Sequence, residues 1–496
     1  MANQLLIQYF HWYYNDEETL WLKVSQQAAH LTSIGISGVW LPPAYKGIEG
    51  IDSVGYDCYD LFDLGEFDQK DSIRTKYGDK QEYLNAIEAL KQKGIITIAD
   101  VVFNHKAGGD EVEVVKVRKV DPLNRQEFIS DVMEIETWTK FTFPGRAGKY
   151  SEFIWDHSCF SGVDAAQNIE EDAIFSIQNE YGDAWEEVPS DEFGNYDYLM
   201  FNDIEYRNQA VRDELKRWGE WYYKTCGMDG FRLDAVKHIS PEFLNEWLDH
   251  MKNTFEREFF IVAENWVVDN VGRLQHYIDQ TEGRMQLFDP ILHHNFYLAG
   301  QQNEDYDLSN IFEGTLLQSH PELTVTFVDN HDSQPLQALQ SYVEFWFRPL
   351  AYALILLREQ GIPCLFYPDL YGAAYSDLDE EGNEAKVELV PLAELPGLCR
   401  IRKDLAYGIQ RDYFDHPNCI GWTREGNDDQ SNSGLAVLMS NGDEGSKQMD
   451  MGARNAGKTY VDALENCSHE VTTDEQGIAE FSCNGRSVSV WILKQD

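Results

Sequence analysis

Up to about residue 400 the chain repeats one alternation: a short apolar run, a stretch with helical spacing, then another short apolar run. Such runs read as strands buried on both faces, and each then needs a crossover, so the alternation constrains this part of the chain to βα units around a parallel sheet. The candidate strands are Leu5–Phe10, Ile36–Leu41, Ile95–Val101, Gly230–Asp234, Phe259–Ala263, Met285–Phe288, Thr324–Val328 and Pro363–Tyr367. Eight of them predict a closed (β/α)8 barrel. Crossover helices are expected over Gln81–Lys93, with Leu84, Ile87 and Leu90 on one face, and over Pro241–Phe255, with Ser240 as N-cap and Pro241 at the first helical position.

The alternation breaks once, where about 100 residues, Lys106 to Arg207, separate the third strand from the helix before the fourth. An unstructured loop of that length is rare in a compact protein, so 106–207 is expected to be an inserted domain on the C-terminal face of the barrel. The barrel would then comprise 1–105 and 208–400. After that the apolar runs shorten and are split by polar turns (CIGWTR, GLAVLMSNGD, KTYVDAL, SVSVWILK), which predicts an antiparallel β-sandwich over 401–496.

Charge narrows the partners. There are 86 Asp and Glu against 40 Lys and Arg, a formal net charge of −46, and a field of that sign repels phosphate backbones and anionic lipid headgroups. Neither nucleic acid nor a membrane surface is expected as a partner, and no run approaches the roughly 18–20 apolar residues of a bilayer span. Met1–Phe10 has no basic region and no small-residue cleavage site, so it reads as a first strand, not a signal peptide, and a cytoplasmic location is expected. The eight cysteines include no CxxC pair and are expected to be reduced, mostly buried thiols.

Side chains at the C-terminal ends of barrel strands converge on one face, and several strands here end in titratable groups. Arg232 and Asp234 lie two apart, on the same side of a strand, where the guanidinium favours the ionised carboxylate that a nucleophile must be. Glu264 closes an apolar run and is the natural general acid. His331 and Asp332 end the seventh run as a donor and acceptor suited to sugar hydroxyls, and Asp100, Asn104 and His105 follow the third strand in the same way. Singly, a strand-end acid is usually a helix cap or a solvated loop residue. Four convergent clusters with paired carboxylates and no histidine-rich metal set point to glycosidic bond cleavage. Lys237 and His238 follow Asp234 closely enough to support the site or to touch substrate, while Tyr9, Trp12, Tyr56 and Trp266 are either core or platforms on which sugar rings stack.

The segments DVVFNH (100–105), GFRLDAVKH (230–238), AENW (263–266) and FVDNHD (327–332), in this order and spacing, resemble the signature segments of the α-amylase family, closest to its bacterial liquefying-type and cytoplasmic members. The likeness extends through SVGYD (53–57), YDYLMFNDIEYRN (196–208) and FYPDLYG (366–372). It implies a retaining glycoside hydrolase that cleaves α-1,4 links in starch, glycogen or maltodextrins. Asp234 would be nucleophile, Glu264 acid/base and Asp332 transition-state stabiliser, with the first two carboxyls about 5 to 5.5 Å apart. Tyr56, His105, Arg232 and His331 would line the subsite of the reacting glucose, and Lys237, His238 and Trp266 would contact substrate nearby. The alternative within the family is an α-glucan transferase, in which a sugar hydroxyl outcompetes water. A catalytically dead glucan-binding relative would lack one of the three acids, and none is missing.

The resemblance also implies one structural calcium ion between barrel and insert, held by the side chains of Asn104, Asp197 and Asp203 and the backbone carbonyl of His238. Relatives of this type carry further metal ions beside it on additional aspartates. Here the matching positions read Ser161, Glu186 and Arg207, so that second cluster is expected to be absent, with Arg207 pairing to Glu186 or Asp197 in its place.

Overall fold

In the computed structural model, which describes every residue except 1, 2, 17, 183 and 496, eight parallel strands close into a barrel. They are β1 (Leu6–Gln8), β2 (Gly38–Leu41), β3 (Ile96–Val101), β4 (Gly230–Leu233), β5 (Phe260–Ala263), β6 (Gln286–Phe288), β7 (Thr324–Phe327) and β8 (Ile362–Phe366). Each pairs with the next in sequence, and β8 returns to β1 with Cys364 opposite Leu6. Seven lie within the expected runs, trimmed by up to three residues where the chain turns out of the sheet, and β8 is shifted one residue earlier than the expected Pro363–Tyr367.

Side chains alternate across the barrel wall. In β4, Phe231 points outward, where its ring meets Trp247 edge-on at 5.2 Å, and Arg232 points inward. Gly230 is required because any β-carbon there would lie 2.2 Å from the carbonyl oxygen of Phe260 on β5. The crossover helix Pro241–Phe255 spans the expected residues and buries Phe243, Leu244, Trp247, Leu248 and Met251, although the Ser240 side chain makes no capping hydrogen bond. The expected helix Gln81–Lys93 runs from Lys80 to Lys91. Its start is set by a reciprocal capping box between Asp79 and Glu82, which apolar spacing cannot reveal.

Between β3 and β4 the chain builds a seven-stranded, mainly antiparallel sheet that begins at His105–Lys106, includes the long hairpin strands Glu111–Asp121 and Met133–Lys140, and returns through Asn202–Ile204. Because Asn202 and Asp203 pair with Lys106 and His105, the insert's first and last strands lie side by side where the chain leaves β3.

The C-terminal region forms a six-stranded antiparallel sheet of Gln410–Tyr413, Cys419–Arg424, Leu435–Ser440, Ser487–Leu493, Thr459–Asp462 and Val471–Thr472, with a two-stranded sheet of Gly445–Asp450 and Ile478–Cys483 packed against it. Strand Leu435–Ser440 shows why its sequence is apolar throughout: Leu435, Val437 and Met439 join the barrel core, while Ala436 and Leu438 face the smaller sheet. All eight cysteines are free thiols, and only Cys467 is not fully buried. Among the described residues no helix is long and apolar enough to cross a membrane.

Candidate active site

Register brings the acids together. Leu233 on β4 is level with Val101 on β3 and Ala263 on β5, so the residues that follow, Asp234 and Glu264, emerge side by side. Their backbones are held there: Asp234 N–H donates to the Val101 carbonyl at 3.0 Å and Glu264 N–H to the Leu233 carbonyl at 2.9 Å. Arg232, its side chain 1% exposed, reaches three carboxyls at once. Its Nη1 donates to Asp100 Oδ1 at 2.8 Å and to Asp234 Oδ1 at 2.6 Å, and its Nη2 lies 3.4 Å from Glu264 Oε2. Glu264 Oε2 also accepts the backbone N–H of Ala235 at 3.0 Å. Ala235 adopts a left-handed φ of 48°, a strained conformation for a residue with a β-carbon, held at the point where its amide serves the acid.

Asp100 is the foundation under Arg232. Its other oxygen accepts from Trp40 Nε1 at 2.9 Å and from the Tyr56 hydroxyl at 2.7 Å, so the guanidinium has no freedom to swing away. On the opposite wall Gln8 Nε2 donates to His331 Nδ1 at 2.9 Å, which leaves the proton on Nε2, 3.4 Å from Asp332 Oδ2. Burial keeps His331 well below its ordinary range, so it is a neutral donor. The rings of Tyr56 and His331 stack at 5.0 Å, and Trp12 stacks on Tyr56 at 5.7 Å with an angle of 4° between the planes. These rings form a flat aromatic wall beside the acids, of the kind that packs on pyranose faces.

His105, pushed down to about 4 by burial, is neutral, and its Nε2 lies 2.7 Å from the Tyr56 carbonyl, so it supports the Tyr56 segment. His238, lowered to about 3 by burial, places Nδ1 2.6 Å from the Tyr196 carbonyl in a loop of the insert. Lys237 reaches Glu192 of the insert at 3.3 Å and the Trp266 carbonyl at 3.1 Å. Trp266 packs on His293 and Phe327. Tyr9 is fully buried and belongs to the core.

Gln8, Trp40 and Glu192 are contributors that motif reading passed over. A polar residue or an indole at the end of an otherwise apolar barrel strand was the available signal for the first two. Glu192 had none, because its partner lies 45 residues away on another element.

The electrostatics correct one expectation. Arg232 is the strongest influence holding Asp234 ionised, but burial outweighs it, and with the charges of Glu264, Asp100 and Asp332 it pushes Asp234 up to about 8. Burial and Glu264 likewise push Asp332 up to about 7. Four carboxyls around one guanidinium leave an excess of negative charge in a site screened from water. Such a site retains protons, and by the same field it favours a cation placed within it. Because the folded-state pKa values lie above the unfolded value of about 3.9, ionisation of these groups removes stability as pH rises from about 4 to about 8. Asp234→Asn removes that penalty, so its melting temperature relative to wild type should increase by roughly 2–4 °C between pH 5 and pH 8. Scanning calorimetry at the two pH values checks this, and an offset independent of pH would contradict it.

Beside the cleft, Asp197 and Asp203 are each 1% exposed and are pushed well above the ordinary carboxylate range, Asp197 by burial and the charge of Asp203, Asp203 by burial and the charges of Glu186 and Glu205. Asn104 Oδ1 is buried without a hydrogen-bond partner. Asp203 accepts from the Ser161 hydroxyl. Arg207 does not pair with Glu186 or Asp197 as expected: its guanidinium grips Glu205 through Nε at 2.7 Å and Nη2 at 2.6 Å, and Glu186 accepts only the Arg207 backbone N–H. Residues 205 and 207 lie two apart in the turn that follows the strand Asn202–Ile204, so the guanidinium folds back onto Glu205.

Comparison with known proteins agrees with this geometry. The α-amylase catalytic domain family matches residues 21–394, and the α-amylase C-terminal family matches residues 435–492. The chain is 50% identical over 496 residues to a cytoplasmic α-amylase of Escherichia coli (strain K12), covering 100% of both chains. It is 46% identical over 493 residues to an α-amylase of Geobacillus stearothermophilus, covering 99% of this chain and 87% of the relative. In fold it resembles the crystal structure of an α-amylase from Geobacillus thermoleovorans complexed with acarbose, with a TM-score of 0.65 and 15% identity over 100% of this chain and 98% of that one. A closed barrel with acids following β4, β5 and β7, in a chain that a catalytic-domain family matches over three quarters of its length, is a glycoside hydrolase, and the chain belongs to the α-amylase family.

Proposed function

We propose that the chain is an endo-acting α-amylase that hydrolyses α-1,4-glucosidic bonds of starch, glycogen or maltodextrins by double displacement with retention. The observation that carries the reading is the single guanidinium of Arg232 in contact with both Asp234 and Glu264. One Asp234 oxygen is fixed by Arg232, and once the carboxyl has released its proton to solvent the other attacks the anomeric carbon. Glu264 Oε2 is occupied by Ala235 N–H and Arg232, so Oε1 carries the proton delivered to the leaving oxygen. Positive charge developing on the sugar is stabilised by the net negative field of Asp100, Asp234 and Asp332, the same field that raises the aspartates. Deprotonated Glu264 then takes a proton from water, whose oxygen releases the sugar from Asp234.

Asp332 and His331 hold sugar hydroxyls, Tyr56 and Trp12 stack on the ring, and Lys237, His238 and Trp266 face the leaving-group side. Digestion of maltoheptaose should yield shorter sugars only. Longer or cyclic products would identify a glucan transferase instead.

The residues at the barrel–insert junction fit a calcium ion: an unpartnered amide oxygen of Asn104 beside two buried carboxylates, Asp197 and Asp203, is a set of hard oxygen donors lacking a cation. Among the described residues no group of three or more His, Cys, Asp or Glu side chains is placed to hold a metal ion by itself, so carbonyl oxygen such as that of His238 would complete the set. The ion would neutralise the buried acids and tie the insert to the loop after β4. A cytoplasmic location is supported by the name of the E. coli relative.

A further inference from the structure

We propose that Cys419 and Cys483, far from the barrel mouth, form a site of reversible oxidative modification: a dithiol that a peroxide converts to a disulfide joining the two sheets of the C-terminal region. Cys419 opens a strand of the six-stranded sheet and Cys483 ends the strand Ile478–Cys483 of the two-stranded sheet. Both belong to one buried cluster between the sheets. Gly445 is the direct cross-strand partner of Cys483, and a β-carbon on Gly445 would lie 2.5 Å from Cys419 Sγ. Facing β-carbons in an antiparallel pair are about 4.5–5.5 Å apart, so the Cys419 thiol rests on the glycine directly beside the Cys483 side chain, within the reach a disulfide requires. Any larger residue at 445 would occupy that space.

Access and reactivity differ between the two thiols. Cys419 lines a cavity of about 330 Å³ shared with His416, Asn418 and Ser440. The hydrogen bond from Cys483 and the Lys447 ammonium hold Cys419 below the usual thiol range, whereas the same bond pushes Cys483 up. Cys419 is therefore the attacking thiolate and Cys483 the resolving thiol. The thiolate attacks an oxygen of hydrogen peroxide and releases hydroxide, forming a sulfenic acid; Cys483 sulfur then displaces the sulfenic hydroxyl, and the protons of both thiols leave in water. Two thiols are oxidised by two electrons, and one peroxide is reduced to two waters. Cys467, the nearest competitor, has its sulfur 3.4 Å from Ser489 Oγ. The bridge would close a long loop and restrict the unfolded chain, which raises stability.

The test is treatment of the folded full-length protein with hydrogen peroxide, followed by peptide mapping without reduction and by calorimetry. The expected result is a cross-linked peptide pair carrying Cys419 and Cys483, and a melting temperature raised by roughly 3–5 °C and restored by dithiothreitol. The rise should vanish in Cys419→Ser and in Cys483→Ser and persist in Cys467→Ser. A link through Cys467, sulfinic or sulfonic acid without a link, or thiols unchanged after peroxide would each overturn the proposal.

Discussion

Asp234→Asn and Glu264→Gln are each expected to lower kcat by at least about 1,000-fold while circular dichroism and melting show an intact fold. An amide at 234 cannot form a glycosyl ester, and an amide at 264 cannot donate a proton. Neither change alters side-chain volume, and Arg232 keeps Asp100 as a partner in both variants, so the cluster loses chemistry without losing its frame. The defect should appear in kcat more than in KM, because the aromatic wall of Tyr56, His331 and Trp12 is untouched. Retention of more than a tenth of wild-type activity by either variant would remove its assigned role.

The second large effect concerns the junction between barrel and insert. Removal of calcium by a chelator is expected to lower the melting temperature by roughly 5–10 °C, the scale set by a ligand that binds the folded chain far below its ambient concentration. Without the ion, Asp197 and Asp203 must either stay protonated or repel one another across a buried gap, and Asn104 Oδ1 stays unpartnered. Metal analysis after dialysis should give about one calcium per chain. Two or more tightly held ions, or a melting temperature indifferent to chelator, would contradict this account, because Ser161 supplies a hydroxyl and Arg207 a positive charge where further ions would need carboxylates.

What was legible in the sequence, and what was not, divides on physical lines. Barrel strands were legible because burial on both faces writes them as unbroken apolar runs, and the acids because strand ends share one face. The convergence of Asp234 with Glu264 needs only the parallel register, which places consecutive strand ends level. The inserted sheet was legible as an insertion, not as strands: Glu111–Asp121 alternates charged exposed positions with buried Val115 and Val117, a weaker signal among many acids. The Asp100 foundation, the Gln8 bond to His331 and the Glu192 bond to Lys237 join residues 45 to 323 positions apart, and no local pattern encodes such pairs. The ionisation of Asp234 was misjudged for a related reason: Arg232 is visible two residues away, while the opposing burial and the other acids exist only in the closed barrel.

Retention through Asp234 is the central claim, and the anomeric configuration of the first product tests it most directly. Proton NMR of maltoheptaose hydrolysis, recorded within the first minutes and before mutarotation, should show the α-anomer of the newly released reducing end ahead of the β-anomer. The β-anomer appearing first would mean a single displacement by water, and Asp234 would then be a base and not a nucleophile.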